Sequence, residues 1–111
     1  MDERIEKWLY DIRLAIEEID GYFDIHKRDF NRFCENTLLK RGIERNLEII
    51  GEAMSRILNS DPQFPIDSAR KIVGLRNHII HSYDNVSDAA LWAIVMNNIP
   101  VLKKEVDRLL G

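Results

Sequence analysis

Between Gly74 and Val86 the chain reads GLRNHIIHSYDNV, which gathers Arg76, Asn77, His78, His81 and Tyr83 within eight residues. A guanidinium is always charged and presents a planar fork of donors that matches phosphate oxygens. An imidazole titrates near neutrality, so it can take a proton from a hydroxyl or return one to a departing oxygen. Together these groups suffice, in principle, to cut RNA by internal transesterification without a metal. The 2′-hydroxyl attacks phosphorus, the histidine moves the proton, and the arginine holds the charge that grows on the pentacoordinate centre. Separate base and acid roles need two imidazoles, which two copies of His81 facing one groove would supply.

Spacing limits how these groups can meet. Arg76 and His81 are five residues apart, roughly 140° around a regular α-helix. They cannot both point squarely into one cleft unless the helix loosens near Ser82 and Tyr83 or two protomers line a shared groove. Arg76 and Tyr83, seven apart, fall within about 20° of each other, and Asn77 shares a face with His81. Two polar stripes, Arg76/Tyr83 and Asn77/His81, would flank the groove.

The elements that must position this motif read as helices. Ile5, Trp8, Leu9, Ile12, Ile16, Ile19 and Phe23 recur at steps of three and four, the mark of an amphipathic helix. Gly21 and the polar DIHKRD mark its end. A longer helix is expected from about Asp29, burying Phe30, Phe33, Leu38, Leu47, Ile50, Met54 and Ile57, with a candidate bend at Gly42. Gly51 weakens that helix by about 1 kcal/mol relative to alanine, a loss that a closely approaching helix would offset. The prolines of NSDPQFPID make a loop, and a third helix starts near Asp67 and runs toward the motif. Ser87 or Asp88 caps a last helix with Leu91, Trp92, Val95, Ile99, Leu102, Val106 and Leu109 in phase, kinked at Pro100. No strand alternation or repeat appears. The expected architecture is all-α, an antiparallel bundle of four to five helices in a single domain spanning 1–111.

Composition agrees with a globular chain. It has 111 residues, 45% apolar and 32% charged, enough for a core without disulfides. Cys34 is the one cysteine, which excludes an internal disulfide and suits a reducing cytoplasm. The opening MDERIEKWLY has no signal-peptide apolar core, and the run AALWAIVM is far shorter than the roughly 20 residues of a membrane span. A cytoplasmic protein without membrane partners is expected. The net charge of −3 is unevenly spread. Residues 1–24 hold three basic groups against eight carboxylates, whereas residues 26–45 hold six against three. A positive face on an acidic protein remains compatible with a polyanion.

The aromatics Trp8, Phe23, Phe30, Phe33 and Trp92 sit at core spacing and read as packing. His78 and His81 stand in His-x-x-His spacing, but the carboxylates that bundle metal sites recruit at Glu-x-x-His spacing are missing, so no metal is assigned. His78 is structural or at the groove edge. His26 lies in a polar turn and takes no role. Glu52 stands off the Leu47/Ile50/Met54 stripe, within reach of Arg56 one turn on.

A bare Arg-x-x-x-x-His pattern arises by chance in roughly a quarter of chains of this composition, and a tyrosine two residues later lowers that to below about 1%. GLRNHIIHSYDNV resembles the Arg-x-x-x-x-His-x-Tyr signature of HepT-like toxins in the HEPN superfamily. RNLEIIGEAMSRI resembles the long second helix of that family, and LWAIVMNNIPVLKKEVDRLL its last helix, proline included. The likeness spans nearly the whole chain and is least distinctive in the first helix.

The resemblance implies an all-helical, HEPN-like homodimer, or a higher oligomer, that cleaves RNA with no metal or other cofactor. It assigns Arg76 and His81 of both protomers to a composite catalytic cleft and gives Asn77 the task of orienting the arginine or the phosphate. It further implies a minimal nucleotidyltransferase antitoxin that neutralises the toxin by transferring AMP to Tyr83. Glu52 falls in the family's GEA segment, with a place near the dimer groove. The alternative is a non-catalytic helical module that binds and positions a nucleotidyltransferase, a role that the acidic charge suits.

Overall fold

The computed structural model describes residues 1–66, 68, 71–74 and 87–111. Every regular element among them is helical: α1 (Glu3–Ile25), α2 (Phe30–Glu35), α3 (Thr37–Ser60), a helical turn at 71–74, α4 (Asp88–Ala93) and α5 (Ile99–Leu110). The π-helical turn Ile94–Asn98 joins α4 to α5 without a break. The all-α expectation holds. No described helix is long and apolar enough to cross a membrane.

Asp2 caps α1 by accepting the Arg4 backbone N–H at 2.7 Å, and that bond holds its carboxyl below the usual carboxylate range. Ile5, Leu9, Ile12, Ala15, Ile16 and Ile19 are buried along the inner face. The helix does not stop at Gly21 as expected but continues to Ile25. A helical glycine costs about 1 kcal/mol relative to alanine, and here Tyr22 and Phe23 pack against the core from the turn it sits in. Packing outweighs the local preference.

The long helix expected from Asp29 is two helices. At Asn36 the backbone leaves the helical region, and the Asn36 side chain accepts the Leu39 N–H at 3.0 Å to start α3 afresh. The restart shifts the buried stripe by one residue. Leu39 and Ile43 enter the core, whereas Leu38, assigned to the core from the sequence, is 86% exposed. Phe30, assigned likewise, is 39% exposed. Gly42 produces no bend, since α3 is unbroken from Thr37 to Ser60. It leaves room for a neighbour instead: a Cβ at this position would lie 3.1 Å from Tyr22 Oη.

Side-chain pairs set the directions. Tyr22 Oη donates to Asn46 Oδ1 at 2.8 Å, and Asn46 Nδ2 donates to Glu18 Oε2 at 2.9 Å. At the other end Trp8 and Asp11 share a groove with Ala53 and Arg56, so α1 and α3 run antiparallel. Arg13 donates to Asp107 Oδ1 at 3.0 Å and Lys103 donates to Asp20 Oδ2 at 2.9 Å, which makes α5 antiparallel to α1 as well. The Asp20 carboxylate raises the Lys103 pKa through that bond and its charge. Burial, and secondarily the Glu18 charge, raise the Tyr22 pKa, so its hydroxyl stays a donor to Asn46.

Asn46 is 2% exposed, so its carbonyl oxygen depends on that hydroxyl. Tyr22→Phe is therefore expected to destabilise the fold by about 1–3 kcal/mol, read as a lower thermal midpoint. An unchanged midpoint would mean that Asn46 finds another donor.

Ser87 caps α4 by accepting the Ala90 N–H at 3.0 Å. Leu91, Val95, Ile99, Leu102 and Val106 then form one buried stripe through Pro100, as the spacing anticipated. The expected proline distortion takes the form of the π turn, in which the Ile99 N–H reaches five residues back to the Ile94 carbonyl. A proline has no N–H, and its ring clashes with the carbonyl four residues back. Widening the preceding turn moves that carbonyl aside while the apolar phase resumes. Trp92 packs at 5.1–6.0 Å, centroid to centroid, against Phe23, Phe30 and Phe33, tying α1, α2 and α4 together. These aromatics are packing groups, as read from their spacing.

Candidate functional site

Arg76, Asn77, His78, His81 and Tyr83 all lie outside the described residues. The frame that holds the two ends of their segment is described. At the entry, the Ser68 carbonyl accepts the Ile72 N–H at 3.1 Å and so opens the helical turn at 71–74. Ile72 is buried in the core, and Ser68 Oγ donates to Glu105 Oε1 of α5 at 3.3 Å. At the exit, the Ser87 cap and the buried Leu91 seat α4, while Lys40 Nζ of α3 lies 3.4 Å from the Asp88 carboxylate. Residues 75–86 thus run between one end pinned to α5 and another pinned to α3.

Lys40 also donates to the Cys34 carbonyl at 2.8 Å, which holds α2 against the same corner. Burial first, and then the Asp88 charge, push the Cys34 thiol pKa up. A protonated thiol is a poor nucleophile, so nothing recommends Cys34 for chemistry.

Two surface grooves are lined by described residues. One, of about 280 Å³, lies between α1 and α5 and exposes Arg13, Glu17, Lys103 and Asp107. Both of its cations are held by carboxylates, Arg13 by Asp107 and Lys103 by Asp20. That leaves no uncompensated charge for a phosphate. The other, of about 250 Å³, lies between α1 and α3 and is lined by Trp8, Asp11, Ile49, Glu52, Ala53 and Arg56. Arg56 donates to Glu52 at 2.8 Å, the one-turn pair expected from the sequence. Both side chains are more than half exposed, so the contact is worth only about 0.3–0.5 kcal/mol. Neither groove holds a guanidinium free to meet an imidazole.

Gly42 and Gly51 are nine residues apart, which places them on opposite flanks of α3. Gly42 faces α1 through Tyr22, and Gly51 is buried on the other side. That burial fits the close approach for which a mid-helix glycine was read.

Sequence reasoning missed two buried polar positions. Asn46 and Glu105 are 2% and 7% exposed, the buried polar residues among those described. A signal existed for Glu105: it follows Leu102 by three residues and adjoins Val106, inside the apolar arc of the last helix.

Comparison with known proteins bears on what this frame is for. The family profile described as "Ribonuclease HepT-like" matches residues 12–109. A Methanocaldococcus jannaschii protein named "Putative RNase" is 41% identical over 106 residues, covering 93% of this chain and 94% of the relative. A second protein of that name, from Caldanaerobacter subterraneus, is 30% identical and covers 96% of this chain and 90% of its own. A Thermococcus cleftensis protein named "Probable ribonuclease HepT" is 33% identical, covering 92% of each chain. No solved structure matches the chain significantly. With nearly its full length matched, the chain belongs to the HepT-like ribonuclease family.

Proposed function

We propose that this protein is a metal-independent endoribonuclease toxin of a two-component toxin–antitoxin system. Arg76 and His81 from each of two protomers face one cleft. One imidazole takes the proton of the RNA 2′-hydroxyl as its oxygen attacks phosphorus. The other protonates the departing 5′-oxygen, and the guanidinium groups hold the phosphoryl charge. Asn77 orients the arginine or the phosphate. A minimal nucleotidyltransferase antitoxin silences the site by adenylylating Tyr83. The observation that carries this reading is the complete Arg-x-x-x-x-His-x-Tyr motif, Arg76 to Tyr83, in a chain of the HepT-like ribonuclease family. Relatives named as ribonucleases support the substrate class.

The net charge of −3 favours a second reading, a non-catalytic helical module that docks and positions a nucleotidyltransferase. Retention of phosphate-binding and proton-transfer groups in one motif favours the first, because a scaffold has no use for both. The expected result is that purified protein cleaves RNA with chelator present, leaving 2′,3′-cyclic phosphate and 5′-hydroxyl ends. Absence of cleavage, or cleavage only with added metal, would overturn the proposal.

A further inference from the structure

Glu105 is buried in the apolar arc of α5, only 7% exposed, between Leu102 and Val106 of the core. Its Oε1 accepts from Ser68 Oγ at 3.3 Å, and its enclosed Oε2 meets no donor among the described residues. A carboxylate with half its capacity unmet is a poor choice for a core, where an apolar residue of similar size is often as stable or more so. Such groups call for an explanation, and they persist where function outweighs stability. The partner of Glu105 indicates what that function is. Ser68 opens the helical turn at 71–74, which leads directly toward Arg76, eight residues beyond Ser68.

We propose that Glu105 is a positioning residue for the ribonuclease site: by gripping Ser68 it sets where the motif segment leaves the core, and so where Arg76 and His81 point. This rests on the reading of Arg76 and His81 as the catalytic pair. Orientation errors of about 1 Å at a reacting centre can lower rates by about 10²-fold, so a loosened anchor acts on kcat far more than on substrate affinity.

The test measures kcat, KM and thermal midpoint for wild type, Glu105→Leu, Glu105→Gln and Ser68→Ala, with His81→Ala as control. Glu105→Leu is expected to lower kcat at least about tenfold with KM within about twofold, while its midpoint stays level or rises. Ser68→Ala should lower kcat in the same sense. Glu105→Gln keeps an acceptor for Ser68 and should restore most of the rate. The proposal is overturned if Glu105→Leu keeps its kcat, if it loses activity only in proportion to unfolded protein, or if the glutamine variant is as slow as the leucine one. Inactive wild type would sink the catalytic reading itself. Activity abolished by His81→Ala but untouched by Glu105→Leu and Ser68→Ala would sink this inference alone.

Discussion

His81→Ala is expected to slow RNA cleavage by about 10²–10⁴-fold, the usual contribution of a positioned acid–base group. Arg76→Ala should lower the rate by about 10²–10³-fold, because a guanidinium stabilises charge that exists fully only in the transition state. Neither substitution should lower the thermal midpoint by more than the effect of an ordinary surface change, within about 0.5 kcal/mol. Combining cleavage rates with melting curves therefore separates lost chemistry from lost folding. Wild-type rates in both variants would remove Arg76 and His81 from the catalytic role. A large loss in one and none in the other would leave only the sensitive residue in the mechanism.

Complete adenylylation of Tyr83 is expected to reduce cleavage to background while leaving the oligomer intact. Arg76 and Tyr83 are seven residues apart, within about 20° on a continuous helix. An AMP group on the tyrosine would bring a negative phosphodiester to the guanidinium that an RNA phosphate must use. It would occupy the pocket and repel the incoming backbone. Tyr83→Phe removes the hydroxyl that accepts AMP without altering Arg76 or His81, so this variant should still cleave and should escape neutralisation. Intact mass, RNA cleavage and size-exclusion elution, measured before and after treatment with the nucleotidyltransferase and ATP, check all three points. An unchanged cleavage rate in fully modified protein would refute the regulatory reading.

Both predictions concern a segment whose ends, rather than its side chains, are described. The frame explains why a short motif can be aimed at all. Ser68 and Ile72 fix the entry against α5 and the core, and Ser87, Asp88 and Leu91 fix the exit against α3. A substitution in that frame can therefore change chemistry without touching substrate, which is the basis of the Glu105 inference.

Much of this molecule could be read from one dimension. The stripe Ile5, Leu9, Ile12, Ile16, Ile19 and the stripe Leu91, Val95, Ile99, Leu102, Val106 recur with the helical period, and each is buried. Ser87 was recognisable as a cap because capping needs only a side-chain oxygen three residues before a free N–H. The Glu52–Arg56 pair and the spacing from Arg76 to Tyr83 are likewise matters of helical geometry over one or two turns. Interactions of this range are written directly in residue order.

What residue order concealed depended on partners brought from elsewhere in the chain. Gly21 passes for a helix end until Tyr22 and Phe23 are seen packed on the core. Leu38 and Leu39 are equally apolar, and the Asn36 cap together with the α1 surface decides that only Leu39 turns inward. Gly42 looks like a bend until Tyr22 occupies the space beside it. Asn46 and Glu105 carry no mark of burial in their own neighbourhoods; Tyr22 and Ser68 meet them across 24 and 37 residues. Helix period is set by backbone geometry, which every residue shares with its neighbours. Which side chain is enclosed, and what it must bind there, is set by the surface of a second helix, and folding alone brings that surface into place.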